Sequence, residues 1–508
     1  MLFTSYEFLA FLGLVLILYY VIPRKYQWIL LLLASYIFYA FSGFRNFIFI
    51  IITTLSTWFL AGKISDLEIS RKAYIRENKE TLSSEEKKSY KAKVKKKQKG
   101  LLICALLINF GMLAVLKILG LSGIILPLGI SFYTFTAMGY LIDVYRGKYE
   151  AQKNVFKFGL FVSFFPVLIQ GPINRYDDLS KSLYEEHKAD YKTICFGLER
   201  ILWGFFKKLV IADRVLPLVK ELISAPDNYG GVYVFIAMVL YALQLYADFT
   251  GGIDITIGIG EAMGITMKEN FIRPFFSKGL AEYWRRWHIS LGKWFTDYIF
   301  YPVSVSDMML KLSRFARKVF GDYIGKRMPV YVSSLAVWFV TGIWHGLGWN
   351  YVVWGLLNGL IIIISQELEP LYKKFHAAVK TGRGWDGFCA IRTVFITSAL
   401  RMLDLYKNVP LTFKMLGNMI VKPEFSNLNI ETLSEIGFTL HDTILVTLAA
   451  ITLFVVSLIQ RSGCVREKIY RKPIACRYAL FAVLFIIVIV FGAYGIGYDA
   501  SQFIYNQF

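Results

Sequence analysis

Two histidines stand where an ionisable ring is hard to explain as surface. His345 lies in Trp338-Phe339-Val340-Thr341-Gly342-Ile343-Trp344-His345-Gly346-Leu347-Gly348-Trp349, within a stretch from Tyr331 to Gln366 that holds no Asp, Glu, Lys or Arg. His288 lies in Glu282-Tyr283-Trp284-Arg285-Arg286-Trp287-His288-Ile289-Ser290-Leu291. A neutral imidazole in an apolar setting can take the proton from a hydroxyl as that hydroxyl attacks a thioester. Burial favours the neutral form. The plainer readings are interhelical glue for His345 and an interfacial anchor for His288. Arg285, Arg286 and Lys293 are candidates for the phosphates of a donor. Asp248 and Asp254 sit in Gln244-Leu245-Tyr246-Ala247-Asp248-Phe249-Thr250-Gly251-Gly252-Ile253-Asp254. The glycines predict a broken helix there, and capping or pairing with an arginine outweighs a direct chemical role. Asp143 with Arg146 reads as a span end. His187, His376 and His441 lie among charged or loop residues and read as solvated. The five cysteines are scattered, without C-x-x-C or Cys/His spacing, so no metal site is expected. Neither a G-x-S-x-G elbow nor a Walker A motif occurs.

The elements that must hold these residues are membrane helices. Of 508 residues, 56% are hydrophobic, 17% aromatic and only 18% charged. Soluble domains carry about 25% charged and 45–50% apolar residues. A soluble enzyme, a disordered chain and a coiled coil are thereby excluded. The net charge of +21 sits between apolar runs, which fits cytoplasmic loops better than nucleic-acid binding. The first run, Phe8 to Ile22, has no basic residue before it and Pro23, Arg24 and Lys25 after it. That order describes a retained span with its N-terminus outside, not a signal peptide. Further runs lie near 27–44, 46–62, 101–116, 118–142, 155–174, 231–247, 331–366, 387–400, 443–460 and 478–498. Together they predict an all-α polytopic membrane protein, one domain over 1–508, with about ten to twelve transmembrane helices plus re-entrant segments. The stretch 331–366 as one helix would be about 54 Å long against a ~30 Å hydrocarbon core. It must break, and Gly346, Gly348 and Asn350 mark the place.

Residues 63–100 hold 13 Lys/Arg against 6 Asp/Glu and read as a basic cytoplasmic loop. Residues 461–477 are also basic and belong inside. The last span then leaves 499–508 as an extracytoplasmic aromatic tail, so both termini of this multi-pass cell-membrane protein are expected outside. Residues 267–330 form a basic amphipathic segment. Contact with anionic membrane lipid is a secondary reading of the basic loops.

The motifs, taken in order, resemble the membrane-bound O-acyltransferase family, in its bacterial branch. They are Pro127-Leu128-Gly129-Ile130-Ser131-Phe132-Tyr133, Asp143-Val144-Tyr145-Arg146-Gly147, Phe165-Pro166 through Gly171-Pro172-Ile173, and Gly204-Phe205-Phe206-Lys207-Lys208-Leu209. They continue with Asp248-Phe249-Thr250-Gly251 and Asp254, Glu269-Asn270-Phe271, Trp284 to Leu291 followed by Asp297-Tyr298, and Trp344-His345-Gly346. The resemblance implies tilted helices around a central tunnel that both histidines face. His345 matches the histidine essential in the family, and His288 the second one common in its bacterial branch. Trp344, Asp297, Asp248 and Asp254 match supporting positions. No bound cofactor is implied. The donor would be acetyl-CoA or an acyl-carrier-protein thioester from the cytoplasm. A partner acyltransferase outside would place the acyl group on a polysaccharide of the cell wall or surface. The ending Phe503-Ile504-Tyr505-Asn506-Gln507-Phe508 resembles the aromatic endings of this branch, which makes Tyr505 a candidate transient acyl carrier, or else an interface anchor. After Asp297-Tyr298 the chain reads Ile299-Phe300-Tyr301-Pro302, a departure from the branch's isoleucine-proline-leucine-diglycine turn that leaves the acceptor open.

Other classes remain. D-alanyl transfer from a carrier protein to teichoic acid uses the same chemistry. A proton-coupled transporter would also use intramembrane acids and histidines, although no internal repeat supports one. A scaffold that only recruits a glycan enzyme would need neither histidine.

Overall fold

The computed structural model describes residues 2–120, 126–379, 381–425 and 428–494. Among these residues the chain is helical, with one isolated antiparallel bridge, Phe271 to Trp287, and no named strand. Six helices among the described residues are long and apolar enough to cross a membrane: those within Phe44–Glu77, Ser84–Gly120, Gly231–Ala262, Trp349–Glu367, Leu440–Ser462 and Ile474–Phe491. Tyr6–Val21 and Val409–Val421 are shorter apolar helices. Helices meet the demand that backbone in lipid satisfy its own hydrogen bonds.

The chain divides into two compact units. One comprises Met1–Leu198 with Thr256–Lys268, the other Glu199–Ile255 with Glu269–Phe508. In the first, Phe8, Phe11, Phe38 and Phe165 pack ring against ring at 5.5–6.3 Å. Side-chain amides stitch the helices together, as expected where no water is available. The Gln27 amide nitrogen donates to the carbonyls of Tyr19 (3.0 Å) and His187 (2.9 Å), and its oxygen accepts from the His187 N–H (2.8 Å). His187 is therefore built into this unit by its backbone rather than merely solvated. His376 and His441 are exposed. The basic stretch 63–100 is mainly helix, not loop. Phe47–Glu77 and Ser84–Gly120 run well past membrane length and carry the lysines on their ends. Gln98 on one donates to the Ile64 carbonyl on the other at 3.0 Å.

The second unit holds most of the buried charges and both candidate histidines. The Gly231–Ala262 helix passes unbroken through Gly251-Gly252, contrary to the break predicted there. The glycines serve close approach instead. A Cβ on Gly204 would come within 2.6 Å of the Gly251 carbonyl oxygen, so the backbones cross almost in contact. The stretch 331–366 does break where its length demands. One helix ends at His345 and the next begins at Trp349.

Gly129 shows how tightly the first unit is set. It adopts φ +69°, and a Cβ there would fall on the Leu168 carbonyl oxygen. Gly129→Ala is expected to cost about 2–4 kcal/mol, from left-handed strain plus the clash. A thermal melt of the detergent-purified protein within a degree of wild type would contradict this.

Candidate active site

The site is built on the segment from Glu269 to Phe300. Around the Phe271–Trp287 bridge, the Ile272 N–H donates to the Arg286 carbonyl (2.9 Å) and the Ile289 N–H to the Asn270 carbonyl (3.0 Å). Leu280–Arg286 and Ile289–Phe295 are short helices that meet at His288. His288 itself is left-handed, with φ +48° and ψ +54°. A side chain with a Cβ pays about 1–2 kcal/mol to sit there, and such strain clusters at functional sites.

His288 is 4% exposed. Its segment lies outside the six helices long and apolar enough to cross a membrane. Burial pushes its pKa down to about 3, so the ring is neutral at physiological pH. Phe249 meets it edge-on at 5.0 Å and Trp344 at 6.2 Å. The buried Asn270 holds its Nδ1 side. Trp287, next in sequence, stacks on Tyr283 at 5.6 Å, and the Arg401 guanidinium lies over its ring at 4.2 Å. Arg401 also donates to the Tyr283 hydroxyl at 3.2 Å.

His345 is the last residue of the Asp307–His345 stretch, which comprises two helices joined at Gly321 (φ +83°). Its ring contacts Trp344 and Trp354, each with centroids at 4.8 Å, and stacks over Tyr351 at 6.3 Å. Trp344 thus touches both imidazoles. Gly355 permits the close packing of this helix pair, because a Cβ there would strike the Trp338 carbonyl.

Both histidines line one cavity of about 480 Å³. Its other walls include Trp284, Trp338 and Trp354, with Arg285, Lys293, Thr296 and Asp297. Arg285 and Lys293 are exposed and Trp354 is buried, which gives a cationic, solvent-reachable end and an aromatic interior. Trp284 is fixed by donating to the Asn358 side-chain oxygen at 2.9 Å. Such a cavity can hold an apolar acyl group beside two imidazoles while cations meet an anionic donor.

Arg286, Trp344, Asp248 and Asp254 fall outside the cavity lining. Arg286 turns to Glu282 at 2.6 Å and the Arg273 carbonyl at 3.3 Å. Asp248 forms a buried ion pair and Asp254 half-buried ones. Lys208 lies between Asp248 (2.6 Å) and Asp213 (2.8 Å). Asp254 takes Lys207 at 2.5 Å and the Arg200 Nε at 2.9 Å. Arg200 then grips Glu269 with both terminal nitrogens, at 2.7 and 2.6 Å. The pairing role expected of these acids is what the geometry has, with lysine as well as arginine. Asp143, 2% exposed, likewise approaches Lys148 at 3.4 Å. Tyr505 and the 499–508 tail lie outside the described residues.

Sequence reasoning assigned no role to Asn270, Arg401, Lys207 or Lys208. Lys207 and Lys208 carried the clearest signal, two adjacent charges in an apolar helix that must find counter-charges. Arg401 and Asn270 act through contacts more than a hundred and about twenty residues away along the chain, which no local pattern reports.

A probable alginate O-acetylase of Azotobacter vinelandii is 33% identical over 402 residues, covering 75% of this chain and 71% of that protein. The chain belongs to the membrane-bound O-acyltransferase family. The family model itself matches residues 152–403, which include His288 and His345. A peptidoglycan O-acetyltransferase of Helicobacter pylori is 28% identical over 58% of this chain and 57% of its own length. A teichoic acid D-alanyltransferase of Bacillus subtilis is 29% identical over 49% of this chain and 61% of its own.

Removing one partner from a buried charge cluster leaves the others uncompensated, at about 3–5 kcal/mol. Lys208→Met is therefore expected to lower thermal stability sharply, and Lys208→Met with Asp248→Leu to recover part of the loss. Equal melting temperatures for wild type and the single variant would refute the pairing.

Proposed function

We propose that this membrane O-acyltransferase takes an acyl group, acetyl in the first instance, from a cytoplasmic thioester and passes it to a hydroxyl for transfer to an extracytoplasmic polysaccharide. The observation that carries the reading is the shared cavity, which places His345, His288 and a cationic end around one apolar space. Arg285 and Lys293 bind the phosphates of acetyl-CoA or of a carrier-protein prosthetic arm. His345 is the base. It takes the proton of the attacking hydroxyl, the oxygen bonds to the thioester carbonyl carbon, the carbon–sulfur bond breaks, and the thiolate recovers the proton. His288 is a second proton carrier or a donor to the developing oxyanion. The acyl group then reaches a partner acyltransferase outside, with Tyr505 as the candidate carrier. The relatives named for alginate, peptidoglycan and teichoic acid support a glycan acceptor. The N-terminus and the tail lie outside and the lysine-rich helix ends inside, in keeping with the charge bias.

The test uses protein in nanodiscs with radiolabelled acetyl-CoA. His345→Ala should lower thioester cleavage at least 10²-fold without loss of folded protein. Arg285→Ala with Lys293→Ala should raise KM about tenfold or more with kcat little changed. Label retained by wild type but not by Tyr505→Phe supports the relay, and full glycan acylation by Tyr505→Phe excludes it. Wild-type activity in His345→Ala would refute the mechanism.

A further inference from the structure

The hydrogen bonds around Asn270 define which nitrogen of His288 carries the proton. Asn270 is fully buried. Its side-chain oxygen accepts from the Ser290 backbone N–H at 2.9 Å and from the Ser290 hydroxyl at 2.9 Å. The backbone N–H can only donate, so the oxygen must face Ser290 and the orientation of the amide is settled. Those two donors occupy both lone pairs of the oxygen. The amide nitrogen then faces His288, 3.2 Å from Nδ1, whereas the filled oxygen is 3.4 Å away. An amide NH₂ can only donate, and its closer approach, to an Nδ1 whose alternative partner already accepts twice, points to Nδ1 as the acceptor. In a neutral ring the proton is then on Nε2. Glu269, next to Asn270, is clamped by Arg200, which in turn holds Asp254. The amide's neighbour is thereby tied to the Arg200 ion-pair network.

We propose that Asn270 is a positioning residue that fixes His288 as the Nε2–H tautomer, so that His288 serves as a hydrogen-bond donor to the reacting carbonyl oxygen and His345 alone acts as base. The inference rests on the acyl-transfer reading for its chemistry, but not for the tautomer. The hydroxyl proton goes to His345, the new carbon–oxygen bond forms, and the carbon–sulfur bond breaks. The thiolate leaves with the proton from His345, while His288 keeps its own proton throughout. A ring protonated on Nε2 has no lone pair there to take a proton, and its Nδ1 lone pair is engaged by Asn270. His288 therefore contributes by donation.

Two readouts test this. Protein labelled with ¹⁵N-histidine is studied by solid-state NMR in nanodiscs, with the His288 signals identified by their loss in His288→Gln. Nδ1 is expected bare and Nε2 protonated at pH 7. Asn270→Asp, whose carboxylate can only accept, should move the proton to Nδ1. A wild-type ring protonated on Nδ1 would overturn the proposal without any variant having to fold. In thioester cleavage with acetyl-CoA, His288→Ala should lower kcat about 10²–10³-fold. His288→Gln, which places an N–H near the former Nε2 but cannot act as a base, should retain at least tenfold more activity than His288→Ala. Equal loss in the two variants would overturn the donor role. An Nε2-protonated ring in a wild type that cleaves no thioester would keep the tautomer and reject the acyl-transfer reading.

Discussion

Arg200 is the interaction on which the second unit depends. A guanidinium buried at 9% exposure must be paired, because an isolated ion out of water costs several kcal/mol. It satisfies Asp254 on the Gly231–Ala262 helix and Glu269 at the start of the site segment with one rigid fork. Its planar geometry suits two carboxylates in a way an ammonium does not. Through Glu269 the fork anchors Asn270, and through Asn270 the strained His288. Lys207 and Lys208 complete the arrangement on the same aspartate-bearing helix. Buried charge is here a device for placing a loop inside a membrane protein, where hydrophobic contact alone gives little directional information.

The second constraint is length. An apolar run too long for the bilayer must stop, and it stops at the residue proposed here as the base. His345 ends one helix, and Trp349 starts the next after a short turn. Gly346 has no side chain because the Tyr351 ring, stacked on His345, occupies that space. Tryptophans then close the apolar part of the cavity. Trp284 meets Trp338 at 5.1 Å and Trp354 at 5.6 Å, edge to face as aromatic quadrupoles prefer.

Much of this was legible in the residues, for identifiable reasons. Helical class and membrane embedding follow from composition, and the break after His345 from arithmetic on helix rise. The meaning of Gly251-Gly252 was not legible, because glycine marks both a broken helix and a close crossing, and only the partner backbone at Gly204 distinguishes them. Arg285 and Arg286 look alike in sequence, yet adjacent helical positions differ by about 100°. One lines the cavity while the other turns to Glu282. The stretch 63–100 read as a loop because charge suppresses hydropathy without suppressing helix. The left-handed turn at His288 carries no sequence signal at all, since it is enforced by Asn270 and the bridge at Phe271.

The central claim is that the acyl group reacts between His288 and His345. The most direct measurement is an electron cryomicroscopy map of the protein in nanodiscs with a non-hydrolysable acetyl-CoA analogue. The account predicts the acyl carbon in the cavity within reach of both imidazoles, with the phosphates near Arg285 and Lys293. An analogue bound with its acyl end away from this cavity would contradict it.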